Sequence, residues 1–252
     1  MTKLMAITAH PQDLAERTGG TVAKHIERGD EVMWISLTSG AVTHAFNVFP
    51  AEGEDKLKDF EKIKEMKRQE LGRAADILGV QHWHFLDLPE NPTMFGYDEY
   101  KTVIELMRSF RPDIVITQHP LEYGRFDHMD AGAFAIRCVD YVRADGFDSP
   151  LAPHTVSEVY FAYYLDARSD TLMATPRQAP DVIVDITDVA DKKKDAMAEF
   201  ATTQTKPGED FTAKMDVFMA SIDGAVGYMN GFGYGEQFVK WNPTKVQYLP
   251  EG

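Results

Sequence analysis

Two residue clusters in this chain can do chemistry. In Ala9-His10-Pro11-Gln12-Asp13 an apolar run (Leu4, Met5, Ala6, Ile7) ends and a helix-like stretch begins. His10 and Asp13 therefore lie three residues apart at a strand-to-helix turn, where an imidazole and a carboxylate can converge on one ion. That pairing suits Zn²⁺ or another divalent metal. Asp127-His128 supplies a second carboxylate and imidazole just after the strand-like run Asp113–Gln118. An N-cap role would account for Asp13 but leave His10 unexplained. His10, Asp13 and His128 together give three protein ligands and an open position for water, the arrangement of a catalytic zinc site.

The candidates for proton transfer are His44, Asp127 and His119. His44 follows the second strand-like run and has an intrinsic pKa of about 6.5, close to a working pH; a surface imidazole is the alternative. His119 stands just past Gln118 and would line the pocket or pack beside it. Gln12 can orient water but cannot take its proton, because an amide has no useful proton affinity near neutrality. Arg125 stays charged and can hold an oxyanion or a substrate carboxylate bidentately. Glu122 is placed to pair with Arg125, and Tyr123 and Asp130 share that loop. His82 and His84 flank Trp83 in a strand-like run and read as packing or surface residues, while His25 and His154 read as incidental. The aromatic tail (Tyr228, Phe232, Tyr234, Phe238, Trp241) would be core by default, or a lid or subunit contact.

Positioning these groups calls for a parallel sheet. Short β-branched or apolar runs alternate with amphipathic stretches, the pattern of α/β structure. Strands are expected at Leu4–Ala9, Glu31–Leu37, His82–Leu86, Asp113–Gln118, Val156–Tyr164 and Val182–Asp185. Helices are expected at Asp13–Arg28, Leu57–Leu78, Tyr97–Phe110, His128–Val142, Val189–Phe200 and Phe211–Met219. The charged stretch Glu52–Lys58 reads as a solvated helix entry. No repeat, low-complexity segment or linker interrupts the chain, so the expectation is one Rossmann-like domain over residues 1–252, with helices on both faces of the sheet. In such folds ligands bind outside the carboxyl ends of the strands, where strand order reverses. His10, the Thr38–His44 stretch and the His119–His128 stretch all belong to that edge.

Composition narrows the partners. The 252 residues are 44% hydrophobic and 26% charged, with a formal net charge of -14. That charge disfavours nucleic acid and anionic membranes, but a local Arg or metal still permits an anionic small substrate. The single cysteine, Cys138, lies in an apolar helical pattern and reads as an inert core thiol. The N-terminal apolar run is too short for a signal sequence or a membrane span, so a cytoplasmic enzyme is expected, with homo-oligomerisation left open.

On these motifs the chain resembles the PIG-L/LmbE family of metal-dependent N-deacetylases, whose members carry Ala-His-Pro-Asp-Asp after the first strand and His-x-Asp-His after the fourth. Gly19-Gly20-Thr21, Val184-Asp185-Ile186-Thr187 followed by Lys192 to Lys194, and Gly235-Glu236-Gln237-Phe238 resemble further family elements in the same order. The resemblance implies that His10, Asp13 and His128 carry the metal, usually zinc. It also implies that Asp127 orients a ligand, beside His128. Two positions depart from the pattern. Gln12 replaces the family's base Asp, and Arg125 replaces the first His of the second motif.

The function expected is therefore zinc-dependent hydrolysis of an amide-type (N-acyl) bond in a small polar or anionic substrate. The same fold hosts 4-oxalomesaconate hydratase, which adds water to an unsaturated oxo-dicarboxylate and also lacks the deacetylase Asp. Hydration of that kind is the alternative, although Thr38–His44 contains no carboxylate to match that enzyme's proposed base. A metal- and ligand-binding protein without turnover is the third reading.

Overall fold

A computed structural model describes residues 1–43, 56–90, 92–122, 124–163, 179–201, 205 and 209–242. The first half alternates strictly: β1 (Lys3–Thr8), α1 (Asp13–Glu27), β2 (Glu31–Thr38), α2 (Lys56–Leu78), β3 (His82–Leu88), α3 (Tyr97–Phe110), β4 (Ile114–Gln118) and α4 (Phe126–Tyr141). There follow β5 (Glu158–Tyr163), β6 (Val182–Asp185), α5 (Ala190–Ala198), α6 (Phe211–Ser221), α7 (Asp223–Asn230) and β7 (Gly235–Lys240).

One mixed sheet holds all seven strands in the order β3-β2-β1-β4-β5-β7-β6. β1 to β5 run parallel, with Ile7 beside Ile35 on one side and Thr117 on the other. β1 is buried along almost its whole length, as expected for a central strand covered on both faces. The chain winds from β1 outward to β3, then crosses back to place β4 on the other flank of β1. The crevice between β1 and β4 is thus the switch point, and β1 ends there just before His10.

The sheet buries a core on each face. Leu4, Ala6, Trp34 and Ile116 pack with Leu14, Val22, Leu71, Leu78 and Met197 on the side of α1, α2 and α5. Met5, Ile7, Ile35 and Val115 pack with Ile104, Met107, Phe134 and Cys138 on the side of α3 and α4. Cys138 is fully buried and burial pushes its thiol well up, in keeping with an inert core residue. Gly132 brings α4 close to the end of β4: a Cβ there would lie 2.4 Å from the Gln118 carbonyl oxygen.

The expected elements are found with their ends shifted by a residue or two. The difference lies in the tail. Tyr228 lies in α7 and Phe238 in β7, Phe232 and Tyr234 fall between them and Trp241 just past β7, and β7 inserts antiparallel between β5 and β6. Phe238 is core, whereas Trp241 stacks on Phe161. Among the described residues no helix is long and apolar enough to cross a membrane.

Among the remaining motif residues, Gly20, Thr21, Lys193 and Glu236 form a buried lock with Asp223. The Gly20 and Thr21 amides donate to the Glu236 carboxylate at 2.9 and 2.8 Å. Lys193, fully buried, lies 2.8 Å from Glu236 and 2.6 Å from Asp223. A Cβ on Gly20 would sit 2.7 Å from Ile186, so only glycine lets α1 approach that closely. These contacts tie α1, α5, α7 and β7 together.

Candidate active site

His10, Asp13 and His128 meet at the switch point, although 118 positions separate the two histidines. His10 Nδ1 lies 3.3 Å from Asp13 Oδ2 and 3.3 Å from His128 Nε2, and the last two atoms are 3.6 Å apart. All three side chains are buried. The edges of a zinc tetrahedron with N and O ligands are roughly 3.3–3.5 Å, from bond lengths of about 2.0–2.2 Å. The donor set therefore fits a dication. His10, Asp127 and His128 also bring ligand atoms within 4.8 Å of one another. The Asp13 set is the tighter one, and Asp127 approaches His10 from the opposite side of its ring.

Each histidine is backed by a carboxylate. His10 Nε2 stands 2.9 Å from Asp127 Oδ2, and His128 Nδ1 stands 3.3 Å from Glu122 Oε1 and 3.2 Å from Arg17 Nη2. A ring that gives its proton to such a partner turns the lone pair of its other nitrogen inward, toward an ion. Thr43 reinforces this at His10. Its hydroxyl donates to Glu90 and so presents a lone pair to His10 Nε2, 3.2 Å away. Glu90 also accepts from the Thr43 amide at 2.8 Å and from Ser39 Oγ at 3.4 Å, pinning the segment after β2 against His10. Asp13 is held by the His10 amide (2.8 Å) and by Gln118 Nε2 (2.7 Å). Gln118 Oε1 in turn accepts from the Ala9 amide, so the last residue of β4 clamps the turn after β1.

The electrostatics favour a cation. Burial opposes charge on His10, yet Asp13 and Asp127 raise its pKa to about 10. Burial likewise opposes Asp13, but His128, His10 and Arg17 hold its carboxyl well below the usual range. Asp127 is lowered to about 2, against burial, by its hydrogen bond to His10 and the nearby charges. Glu122 is lowered to about 2, against burial, chiefly by Arg17. Arg17 grips Glu122 with both terminal nitrogens, at 2.7 and 3.1 Å.

The sequence-derived candidates fall out unevenly. Asp127 sits behind His10, and from His128 it accepts only the backbone amide. Glu122 pairs mainly with Arg17, with Arg125 Nε at 3.5 Å from the same oxygen. Arg125 is partly exposed at the start of α4. Gln12 is buried, and its Oε1 has no partner among the described residues. His119 packs on Phe161 and accepts the Leu121 amide on Nδ1, which places the proton of its neutral ring on Nε2; burial lowers its pKa. His44 and Tyr123 lie outside the described residues.

Four residues of this region carried no role in the sequence reading: Arg17, Glu90, Gln118 and Lys67. Arg17 is one helical turn past Asp13, a same-face spacing, and Gln118 and Glu90 are polar residues at or just past strand ends on the ligand edge. Lys67 is fully buried on α2, and its Nζ has no hydrogen-bond partner among the described residues. Burial lowers its pKa, against the pull of Glu70, Glu90 and Asp13.

Residues 5–139 match the family described as PIG-L, GlcNAc-PI de-N-acetylase. The match covers more than half of the chain, and the protein belongs to the PIG-L family. Diacetylchitobiose deacetylase of Thermococcus kodakarensis is 28% identical over 93% of this chain and 81% of its own. A 4-oxalmesaconate hydratase of Pseudomonas putida is 26% identical over 75% of this chain and 69% of its own. Among solved structures, the 4-carboxy-2-hydroxymuconate hydratase of Pseudomonas putida gives a TM-score of 0.80 at 22% identity, covering 99% of this chain and 100% of its own. The N,N'-diacetylchitobiose deacetylase of Pyrococcus horikoshii gives 0.76 at 23%, covering 95% and 83%. The solved structures speak to the fold. The sequence relatives make this chain an enzyme of the metal-dependent deacetylase-like or hydratase kind.

Proposed function

We propose that the protein is a zinc-dependent hydrolase that cleaves an N-acyl bond in a small polar substrate, with His10 Nδ1, Asp13 and His128 Nε2 as the metal ligands. The observation that carries this is the mutual 3.3–3.6 Å spacing of those three atoms. A zinc ion held there supplies Lewis acidity to a water and to the substrate carbonyl. The chain's own groups do the rest. Asp127 and Glu122 fix the two rings, and Gln118 fixes the Asp13 carboxylate. Arg125, with Arg17 behind Glu122, offers positive charge to an oxyanion or a substrate carboxylate. His119 donates to substrate through Nε2–H, and Gln12 orients the attacking water. Proton transfer falls to Asp127 or His44. Residues 1–252 act as one domain, in the cytoplasm.

Hydration of an unsaturated oxo-acid is the second reading. It is favoured by Gln12, a buried amide with an unpaired Oε1 where a deacetylase of this family would have its base. One paired assay separates the two. The zinc-loaded enzyme is offered an N-acetylated amino sugar and, separately, a conjugated oxo-dicarboxylate. Acetate release supports the hydrolase; loss of ultraviolet absorbance with no leaving group supports the hydratase. Zinc binding with neither product would sink both.

A further inference from the structure

Among the described residues, two that are not glycine have a left-handed backbone: Arg111 at φ 61° and Asp87 at φ 51°. Arg111 ends α3, where such a turn is ordinary. Asp87 lies inside β3, where it is not. β2 and β3 keep register from Met33 beside His82 to Ser36 beside Phe85, after which Thr38 pairs with Leu88. Leu37 of β2 thus spans what Leu86 and Asp87 together span in β3, and the extra residue makes a bulge. A left-handed backbone crowds Cβ against the following carbonyl oxygen, and aspartate is among the few residues that tolerate it. The Asp87 carboxylate accepts from Lys64 Nζ of α2 at 3.0 Å.

Glu90 follows three residues later, its side chain buried. It accepts from the Thr43 amide, the Thr43 hydroxyl and Ser39 Oγ, and Thr43 Oγ1 lies 3.2 Å from His10 Nε2. The backbone between Ser39 and Thr43 runs along the same ring: a Cβ on Gly40 would stand 3.3 Å from His10. The bulge decides which residue of β3's extension arrives there. Were β3 to continue flat past Phe85, Asp87 would take the place beside Thr38, and every later residue would advance by one step, about 3.3 Å. Glu90 would overshoot its three donors, and Pro89, which has no side-chain acceptor, would stand in its place.

We propose that Asp87 is a positioning residue: its left-handed backbone holds the bulge that seats Glu90 on Thr43 and Ser39, and through Thr43 it steadies the His10 ring for the metal. The backbone conformation carries the effect, and the pair with Lys64 does not. The link to metal affinity rests on the proposed zinc site, whereas the seating of Glu90 is independent of it.

The test uses the full chain and two readouts: hydrogen exchange of the Thr43 amide without metal, and zinc affinity by competition with a chelating dye. Asp87→Val, whose branched side chain resists a positive φ, should speed Thr43 exchange about tenfold, the worth of one net hydrogen bond. It should weaken zinc binding by about tenfold as well, as expected when the support behind a ligand is lost. Asp87→Gly adopts the left-handed backbone freely and should match the parent in both readouts, as should Lys64→Met. In a Glu90→Ala background, Asp87→Val should cost no further zinc affinity, because the two act through one contact. Asp87→Ala gives the same comparison at smaller amplitude if the valine variant does not fold. Parent-like exchange or zinc affinity in Asp87→Val, an Asp87→Gly or Lys64→Met variant as impaired as the valine, or a full additional loss on top of Glu90→Ala would each overturn the proposal. A parent that binds no zinc would remove the metal site alone, and the exchange comparison would still decide the seating of Glu90.

Discussion

His10 joins two carboxylates through one ring: Asp127 Oδ2 lies 2.9 Å from its Nε2 and Asp13 Oδ2 lies 3.3 Å from its Nδ1. Only the second carboxylate shares its side of the ring with His128. In the proposed site Asp13 is a ligand and Asp127 an orienting group. Asp127→Asn should then weaken zinc binding about 10–100-fold, whereas Asp13→Asn should remove measurable micromolar binding. Competition with a chelating dye measures both. Equal losses would make Asp127 a ligand instead.

Zinc loading should be strongly pH-dependent. In the metal-free protein the His10 pKa is raised to about 10, above its ordinary 6.5. A raised folded-state pKa means that the proton stabilises the metal-free fold fully below about pH 6.5. That stabilisation is lost as pH rises through about 10. Zinc must displace the same proton, so its apparent affinity should rise up to about tenfold per pH unit between those limits. Calorimetry in buffers of different ionisation enthalpy should show about one proton released per ion near pH 8. The melting temperature of the metal-free form should fall from pH 7 to pH 10 while the loaded form changes less. A pH-independent affinity would contradict the charge assignment at His10.

Gln12→Asp places a carboxylate where an amide now lies buried beside Asp13. If the chain is a deacetylase working without its best base, kcat on an N-acetyl substrate should rise about 10²–10⁴-fold, the usual worth of a positioned general base. If hydration is the native reaction, oxo-acid turnover should fall and acetate release should stay low. Side-by-side kcat measurements on the two substrates read this directly.

The lock around Lys193 should govern stability without touching the site. Glu236→Ala leaves the Gly20 and Thr21 amides without their acceptor and Lys193, among the described residues, with Asp223 alone. Breaking a buried pair of this kind costs about 3–5 kcal/mol. A urea unfolding midpoint lowered at unchanged slope would report that loss, and zinc affinity measured under native conditions should remain close to that of the parent.

The cluster of His10, Asp13 and His128 was legible because its members punctuate strand ends. His10 and Asp13 mark the turn after β1, and Asp127-His128 follows β4. Hydrophobic periodicity alone places both at the carboxyl edge of a parallel sheet. Asp127 was legible as a site residue but not as the partner of His10 rather than of its neighbour's ring. Which nitrogen faces which oxygen depends on how α4 docks on β4, and that docking is set by Gly132 lying against the Gln118 carbonyl. Glu122 reads as a neighbour of Arg125 along the chain, yet it is taken by Arg17, 105 positions away. A buried guanidinium with no water must find a carboxylate, so the buried arginine holds it more closely than the half-exposed one.

Residue types and their spacing along the chain were enough to determine the alternating α/β order and to bring His10, Asp13 and His128 to one edge of the sheet, because these follow from local periodicity. Tertiary structure alone decided the antiparallel insertion of β7, the Glu90–Thr43 brace on His10, the burial of Lys67 and the Glu236–Lys193 lock. Each of these joins residues far apart in the chain. Their pairing is selected by the cost of leaving a buried charge or amide unpaired, and that cost exists only once the sheet has closed around them.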